Sequence, residues 1–232
     1  MLTIRRSNDR GHAAHGWLDS RHTFSFGSYH DPAHMGFRVL RVMNEDRVAP
    51  SQGFDTHGHR DMEIVTYVLE GSLRHRDSLG TTETLKAGEL QRMSAGTGIL
   101  HSEFNASSVE PVHFYQIWIR PRAAGAAPSY EQKAFASADR VNRFQLVVSP
   151  DGTEGSLRIG QDAKLWLADM EPGRSLALPT SAGGHAWLQV LRGTIAIEGD
   201  TLDTGDGAAI SGMADAQVTA KAMSEVMVIE LP

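Results

Sequence analysis

Apolar residues in this chain come in short runs. Segments 37–42, 62–69, 112–119, 144–148, 185–191 and 225–231 are rich in aliphatic and aromatic side chains and are separated by glycine or acidic turns, a pattern that reads as strands. No window holds a helical period over the length of a typical helix with a cap at each end, so any helices should be short connectors. The pattern predicts an all-β protein of the barrel or sandwich type.

Residues 120–142, with Pro121, Pro128 and several alanines, interrupt the strand rhythm. The interruption predicts domains at 1–122 and 144–232 joined by a linker at 123–143, with a helical turn at 130–134. The two halves also echo each other. Val68-Leu69-Glu70-Gly71 is followed by Lys86-Ala87-Gly88-Glu89, and Val190-Leu191-Arg192-Gly193 by Asp203-Thr204-Gly205-Asp206. In both copies a strand ends in a glycine turn and a Gly-acid pair opens a later strand, as if one barrel had been built twice.

Composition narrows the chemistry. A chain of 232 residues can form two modest domains, each with its own core. It contains no cysteine, which excludes disulfides, thiolate metal sites and thiol nucleophiles, so any metal must sit on nitrogen and oxygen. Net charge is −6 and the basic residues are scattered, which argues against direct nucleic-acid binding. The opening residues meet polar side chains too soon for a signal peptide, and no apolar run has the length of a membrane helix. A cytoplasmic protein with no membrane contact is expected.

Side chains two apart on a strand share a face, so His57 and His59 can point into one barrel, and His101 and Glu103 repeat the spacing. A lone His-x-His is ordinarily a solvated loop or a hydrogen-bonded pair. Two such pairs, with Gly71, Gly88 and Gly96 between them, point to one cation held by nitrogen and oxygen. Glu63 lies four residues after His59 and is also in phase; spacing alone does not separate it from Glu103. His12, His15, His22, His30 and His34 are irregularly spaced and read as surface or hydrogen-bonding residues, while His75 and His113 read as structural. Aligning the second half on the first by its glycines places Pro179, Ser181, Val218 and Ala220 near the ligand positions, which predicts a second barrel without metal.

The stretch His57-Gly58-His59-Arg60-Asp61-Met62-Glu63, the turn Leu69-Glu70-Gly71, and Gly96, Gly98, His101, Ser102 and Glu103 within 93–103 resemble the two signature stretches of the pirin family of bicupins, nearest its bacterial quercetinase-like members. Phe24-Ser25-Phe26, Met35-Gly36-Phe37 and Gln116-Ile117-Trp118-Ile119 extend the likeness, and the second half shares it more loosely. Ser94 stands where the general cupin pattern has proline, a departure that pirins share. The resemblance implies two tandem cupin barrels (double-stranded β-helix, jelly-roll) with few short helices. It implies His57, His59, His101 and Glu103 as ligands, which decides against Glu63.

Four such ligands leave room on a six-coordinate ion and suit one divalent transition metal, with iron(II) expected and nickel, cobalt, manganese or copper also suited; zinc fits less naturally. The resemblance further implies a metal-dependent dioxygenase that opens flavonols such as quercetin with O2, with Glu103 as the catalytic base. The alternative is a non-catalytic, metal-dependent redox sensor or protein-binding regulator, a cofactor of transcription or a modulator of an enzyme, with a protein as its partner. Arg60, Glu63 and Gln116 are candidates to orient the ligands, and Phe37, Phe54, Met93 and Trp118 to wall a flat substrate. Two fused barrels can cover each other's faces, so a monomer is expected.

Overall fold

Alternation along single strands builds the sheets: in Ser72–Asp77, Leu73, His75 and Asp77 are buried while Arg74 and Arg76 are exposed. The computed structural model describes residues 1–181, 183–213 and 215–232. Among these, helical structure is confined to short 3-10 turns at Ser7–Asp9, Ser137–Asp139 and Thr153–Gly155, and no helix is long and apolar enough to cross a membrane.

The strands of the first half are β1 (Leu2–Arg5), β2 (Gly11–Ala14), β3 (Leu18–His22), β4 (Leu40–Val48), β5 (Gly53–His59), β6 (Glu63–Glu70), β7 (Ser72–Asp77), β8 (Thr82–Lys86), β9 (Glu89–Ser94), β10 (Ile99–Asn105), β11 (Val112–Ile119) and β12 (Ser129–Ala134). One sheet runs β12-β9-β6-β11-β4-β3-β2 and the other β5-β10-β7-β8. Val48, Val68, Leu73, Leu85, Val112 and Phe114 from both sheets are fully buried together, so the two close on one core as a jelly-roll barrel.

The second half contributes β13 (Gln145–Ser149), β14 (Leu157–Arg158), β15 (Lys164–Met170), β16 (Ser175–Ala177), β17 (His185–Arg192), β18 (Thr194–Ile197), β19 (Asp200–Asp203), β20 (Gly207–Ser211), β21 (Gln217–Ala220) and β22 (Ser224–Leu231). Here β1-β20-β17-β22-β15-β13 lie side by side, and a smaller sheet runs β16-β21-β18-β19. The repeat seen in the sequence is a repeat of strands. Gly71 and Gly193 take positive φ in the β6–β7 and β17–β18 turns, and Gly88 and Gly205 precede β9 and β20 with the same sign.

The chain divides into two compact units, but not at the expected boundaries. One comprises Gly11–Phe135 with Leu157–Gln161, the other Met1–Arg10, Ala136–Ser156 and Asp162–Pro232. The first ten residues belong with the C-terminal barrel because β1 pairs with β20, Leu2 opposite Ile210, and Asp206 accepts hydrogen bonds from Arg6 and the Ser7 amide. The expected linker is partly strand: instead of a helical turn, Ser129–Ala134 forms β12, antiparallel to β9, and its Glu131 accepts a hydrogen bond from the Arg158 amide. Tyr130 to Ala134 includes good helix formers, and pairing overrides that preference.

Where β5 meets β10 the backbones approach closely. A Cβ on Gly53 would overlap the Glu103 carbonyl oxygen and lie against the Phe104 backbone. Gly53→Ala should push β5 off β10 and lower stability by about 1–3 kcal/mol, measured as a shift in the urea midpoint at unchanged slope.

Candidate metal centre

Two strands of the smaller sheet in the first barrel carry the histidines. On β5 and β10, His57 lies opposite His101 and His59 opposite Ile99, and the register then shifts before Phe54 pairs with Glu103. The bulge brings Phe54, His57 and His59 onto one inward face although their spacing is uneven, a device common beside functional sites. The three rings meet tip to tip: Nε2 of His101 lies 3.0 Å from Nε2 of His59 and 3.1 Å from Nε2 of His57. Nδ1 of His57 donates to the Asp55 carbonyl at 2.7 Å, which leaves its Nε2 with a lone pair.

The larger sheet supplies a polar row beneath them. His22, Asn44, Gln116, Thr66 and Gln91 are successive cross-strand partners on β3, β4, β11, β6 and β9. Glu103, 1% exposed, descends onto this row from the facing sheet. Gln91 Nε2 donates to one of its oxygens at 2.6 Å and Gln116 Nε2 to the other at 2.7 Å. Both amides are themselves held, since Gln91 Nε2 also donates to Thr66 Oγ1 at 3.0 Å and Trp118 Nε1 donates to Gln116 Oε1 at 3.1 Å.

Burial, with the rings of His101 and His57, pushes His59 down from 6.5 to about 4. Burial, with His57 and His75, pushes His101 down to about 3. At neutral pH these imidazoles are uncharged, the form that binds a cation. The residues fit a transition metal on two counts. Edges of an octahedron with metal–nitrogen bonds of about 2.1 Å are about 3.0 Å long, which matches the ring separations. The buried Glu103 carboxylate also has two amides as partners, neither carrying the positive charge that would balance it.

Ligand atoms of His57, His59 and His101 cluster within 4.8 Å of one another, as do those of His75, His101 and Glu103, so the two groups share His101. Glu63, the rival carboxylate, is buried but engaged elsewhere: Ser94 Oγ donates to it at 2.7 Å and Gly160 packs against it.

A pocket of about 230 Å3 opens onto His57, His59, Glu103 and Gln116. Leu18, Phe26, Phe54 and Trp118 form its apolar walls, and Ser20, His22, Asn44 and Asp46 a polar one, in which Ser20 donates to Asp46. Of the expected wall residues, Phe54 and Trp118 line this pocket. Phe37 does not, and Met93 packs with Ile64, Ala95 and Ile99 in an apolar cluster. Arg60 is exposed and borders a different depression with Gly98 and Leu100.

The polar wall, Gln91 and the part His75 plays carry no signal in the sequence. Each lies on an inward-facing strand position occupied by a polar side chain, and strand alternation alone reads polar as outward. Nε2 of His75 meets Asp77 Oδ2 at 3.1 Å, and its Nδ1 lies 3.5 Å from Nδ1 of His101. Burial pushes the Asp77 carboxyl up, but hydrogen bonds from His75, Thr81 and Leu79 outweigh it and hold the group below the usual range. The remaining histidines are apart: His12 pairs with Asp19 at the surface and His113 with the buried Glu45.

Counted along the ladders from the Gly71 and Gly193 turns, the counterparts of His101 and Glu103 in the second barrel are Ala216 and Val218, two residues earlier than the glycine alignment places them. Leu178 stands opposite Ala216, and all three belong to an apolar core with Leu188 and Ile197.

Two outcomes follow. Folded His59 and His101 hold fewer protons than their unfolded counterparts between their depressed values and 6.5. Stability of the metal-free protein should therefore fall as pH drops from 6.5 toward 4, with a shallower fall in His59→Gln, measured by urea midpoints. Gln91→Leu should cost the metal-free protein about 1–3 kcal/mol by leaving a buried carboxylate oxygen without its donor, measured in the same way.

Comparison with known proteins agrees with this architecture. The pirin family model matches residues 3–119, and the model of a quercetinase C-terminal cupin domain matches residues 146–231. A quercetin 2,3-dioxygenase of Escherichia coli strain K12 is 49% identical over 232 residues, spanning 100% of this chain and 99% of that protein. The crystal structure of the bacterial pirin YhhW from Escherichia coli in complex with nickel(II) matches with a TM-score of 0.95 at 49% identity, covering 100% of this chain and 99% of that one. YhaK from Escherichia coli matches with a TM-score of 0.77 at 30% identity, covering 96% and 98%. Alike in sequence and in backbone through both barrels, this chain belongs to the pirin family.

Proposed function

We propose that His57, His59, His101 and Glu103 hold one divalent transition metal, iron(II) in the cell, and that the protein is a cytoplasmic, monomeric dioxygenase that opens flavonols such as quercetin with O2. The observation that carries this reading is the meeting of the His57, His59 and His101 rings, with the buried Glu103 carboxylate close to His101, beside a pocket that Phe26, Phe54 and Trp118 wall on one side. The Escherichia coli relative supports it: at 49% identity it is a quercetin 2,3-dioxygenase, and its crystal structure is a complex with nickel(II).

A bound ion of this kind supplies Lewis acidity toward an enol hydroxyl and a redox centre for dioxygen chemistry. The protein's own groups do the rest. Phe26, Phe54 and Trp118 hold a flat ring system and keep water from the reacting face. Trp118 also packs edge-on against His59, 4.8 Å between ring centroids, so the wall and the donor set are positioned together. Glu103 takes the 3-hydroxyl proton as general base. Gln91 and Gln116 keep its carboxylate aimed during that transfer. The heterocycle then opens with uptake of O2 and loss of carbon monoxide.

The protein loaded in turn with iron(II), nickel, cobalt, manganese and copper should consume O2 and bleach flavonol absorbance with at least one of them. His101→Ala should lose stoichiometric metal and at least about 100-fold of the turnover, because outer contacts alone are already worth about 10- to 100-fold in such sites. Stoichiometric loading without turnover for every metal would overturn the enzymatic reading in favour of a metal-dependent regulator. Full metal content in His101→Ala would overturn the ligand set.

A further inference from the structure

Behind the histidine cluster lies a buried pair that the reaction above does not use. The side chains of His75 and Asp77 are both fully shielded from solvent. Asp77 is fixed from two sides: Oδ1 accepts the Leu79 amide at 2.9 Å and the Thr81 amide at 3.0 Å, while Oδ2 faces His75 Nε2 at 3.1 Å. The His75 ring is clamped by stacking on Tyr130, 4.6 Å between centroids at 25°. Its other nitrogen, Nδ1, faces Nδ1 of His101 at 3.5 Å.

Proton placement along this line follows from the end that cannot donate. A carboxylate only accepts, so Nε2 of His75 carries a hydrogen, and a ring with that one hydrogen presents Nδ1 as an acceptor. His101 must then present Nδ1–H toward His75, which leaves the lone pair of its Nε2 directed at His57 and His59. The charge on Asp77 thus reaches through two rings to the nitrogen that faces the other imidazoles.

The second barrel offers an internal control. Counting from Gly193 as from Gly71, the residue equivalent to His75 is Ile197, which is buried in an apolar core whose members at the positions of His101 and Glu103 are Ala216 and Val218. By the same count Asp77 corresponds to Gly199, so neither member of the relay has a polar side chain at its place in the second barrel.

We infer that Asp77 and His75 are positioning residues acting in series on His101: they select its tautomer and hold its Nε2 lone pair toward the metal site, tightening metal binding. This rests on the proposed ligand set and is independent of the flavonol substrate. The pair touches neither the pocket nor the expected reacting atoms, so its effect belongs in metal affinity and in the ligand field.

The test is a double-mutant cycle on metal affinity, using cobalt(II) and nickel(II) competed against a chromophoric chelator. Asp77→Asn keeps an acceptor for the Leu79 and Thr81 amides and should fold; His75→Phe keeps the stacking on Tyr130. Each should weaken metal binding by about 10- to 100-fold, and each should shift the visible bands of the cobalt(II) protein measured at saturation. Because the residues act in series, Asp77→Asn should cost nothing further in the His75→Phe background.

Affinities within twofold of wild type, additive losses, or an unchanged cobalt spectrum would each overturn the relay. If His75→Phe does not fold, Asp77→Asn alone decides through affinity and spectrum. Wild-type protein that binds neither ion would overturn the ligand set and the relay together, whereas tight wild-type binding with unaltered variants would overturn the relay only.

Discussion

A negative charge placed inside a hydrocarbon barrel is the constraint around which the first unit is organised. Glu103 is almost wholly buried, and an isolated carboxylate there would be far too costly to keep ionised. The structure answers with a belt of polar side chains one residue deep across the larger sheet, running from His22 to Gln91, with an apolar cluster on either side. Amides in that belt satisfy the carboxylate's hydrogen bonds but leave its charge uncompensated. Imidazoles gathered beside it complete an environment suited to a cation.

The two barrels show what that arrangement costs. They share glycine turns and strand order, yet one is filled with leucine, isoleucine and valine where the other holds histidines, glutamines and a glutamate. The apolar version is what the framework needs for stability alone. The polar version gives up close-packed hydrocarbon at the middle of the barrel and retains it above and below, where Phe114 and Met93 lie. Both barrels are closed by strands that lie far off in sequence, β12 on one and β1 on the other.

Much of this was legible in the chain. Short apolar runs between glycines announced strands, and paired side chains two apart announced a common face. The structure does bring His57, His59 and His101 together. What stayed hidden depends on which strands are neighbours. Glu63 and Glu103 are both buried and both in phase, and what separates them is the partners that the folded barrel brings to each: Ser94 and Gly160 for one, Gln91 and Gln116 of the facing sheet for the other. His75 looked like one more strand histidine because nothing local says that Glu103 lies opposite it. Likewise β12 and β1 are strands through their partners, β9 and β20, rather than through their own composition.

The position of β5 carries a consequence for how fast the centre can exchange its contents. This strand, bearing His57 and His59, sits at the margin of its sheet and is hydrogen-bonded along one side only, to β10. Marginal strands are the least protected parts of a sheet against local opening. His57 and His59, half of the proposed donor set, therefore ride on an element open to fraying, while His101 and Glu103 are anchored in the interior strand. Because Phe54 on the same strand packs against the apolar cluster around Leu73 and Phe114, any exchange of an ion through that fraying would be coupled to loosening of one hydrophobic layer.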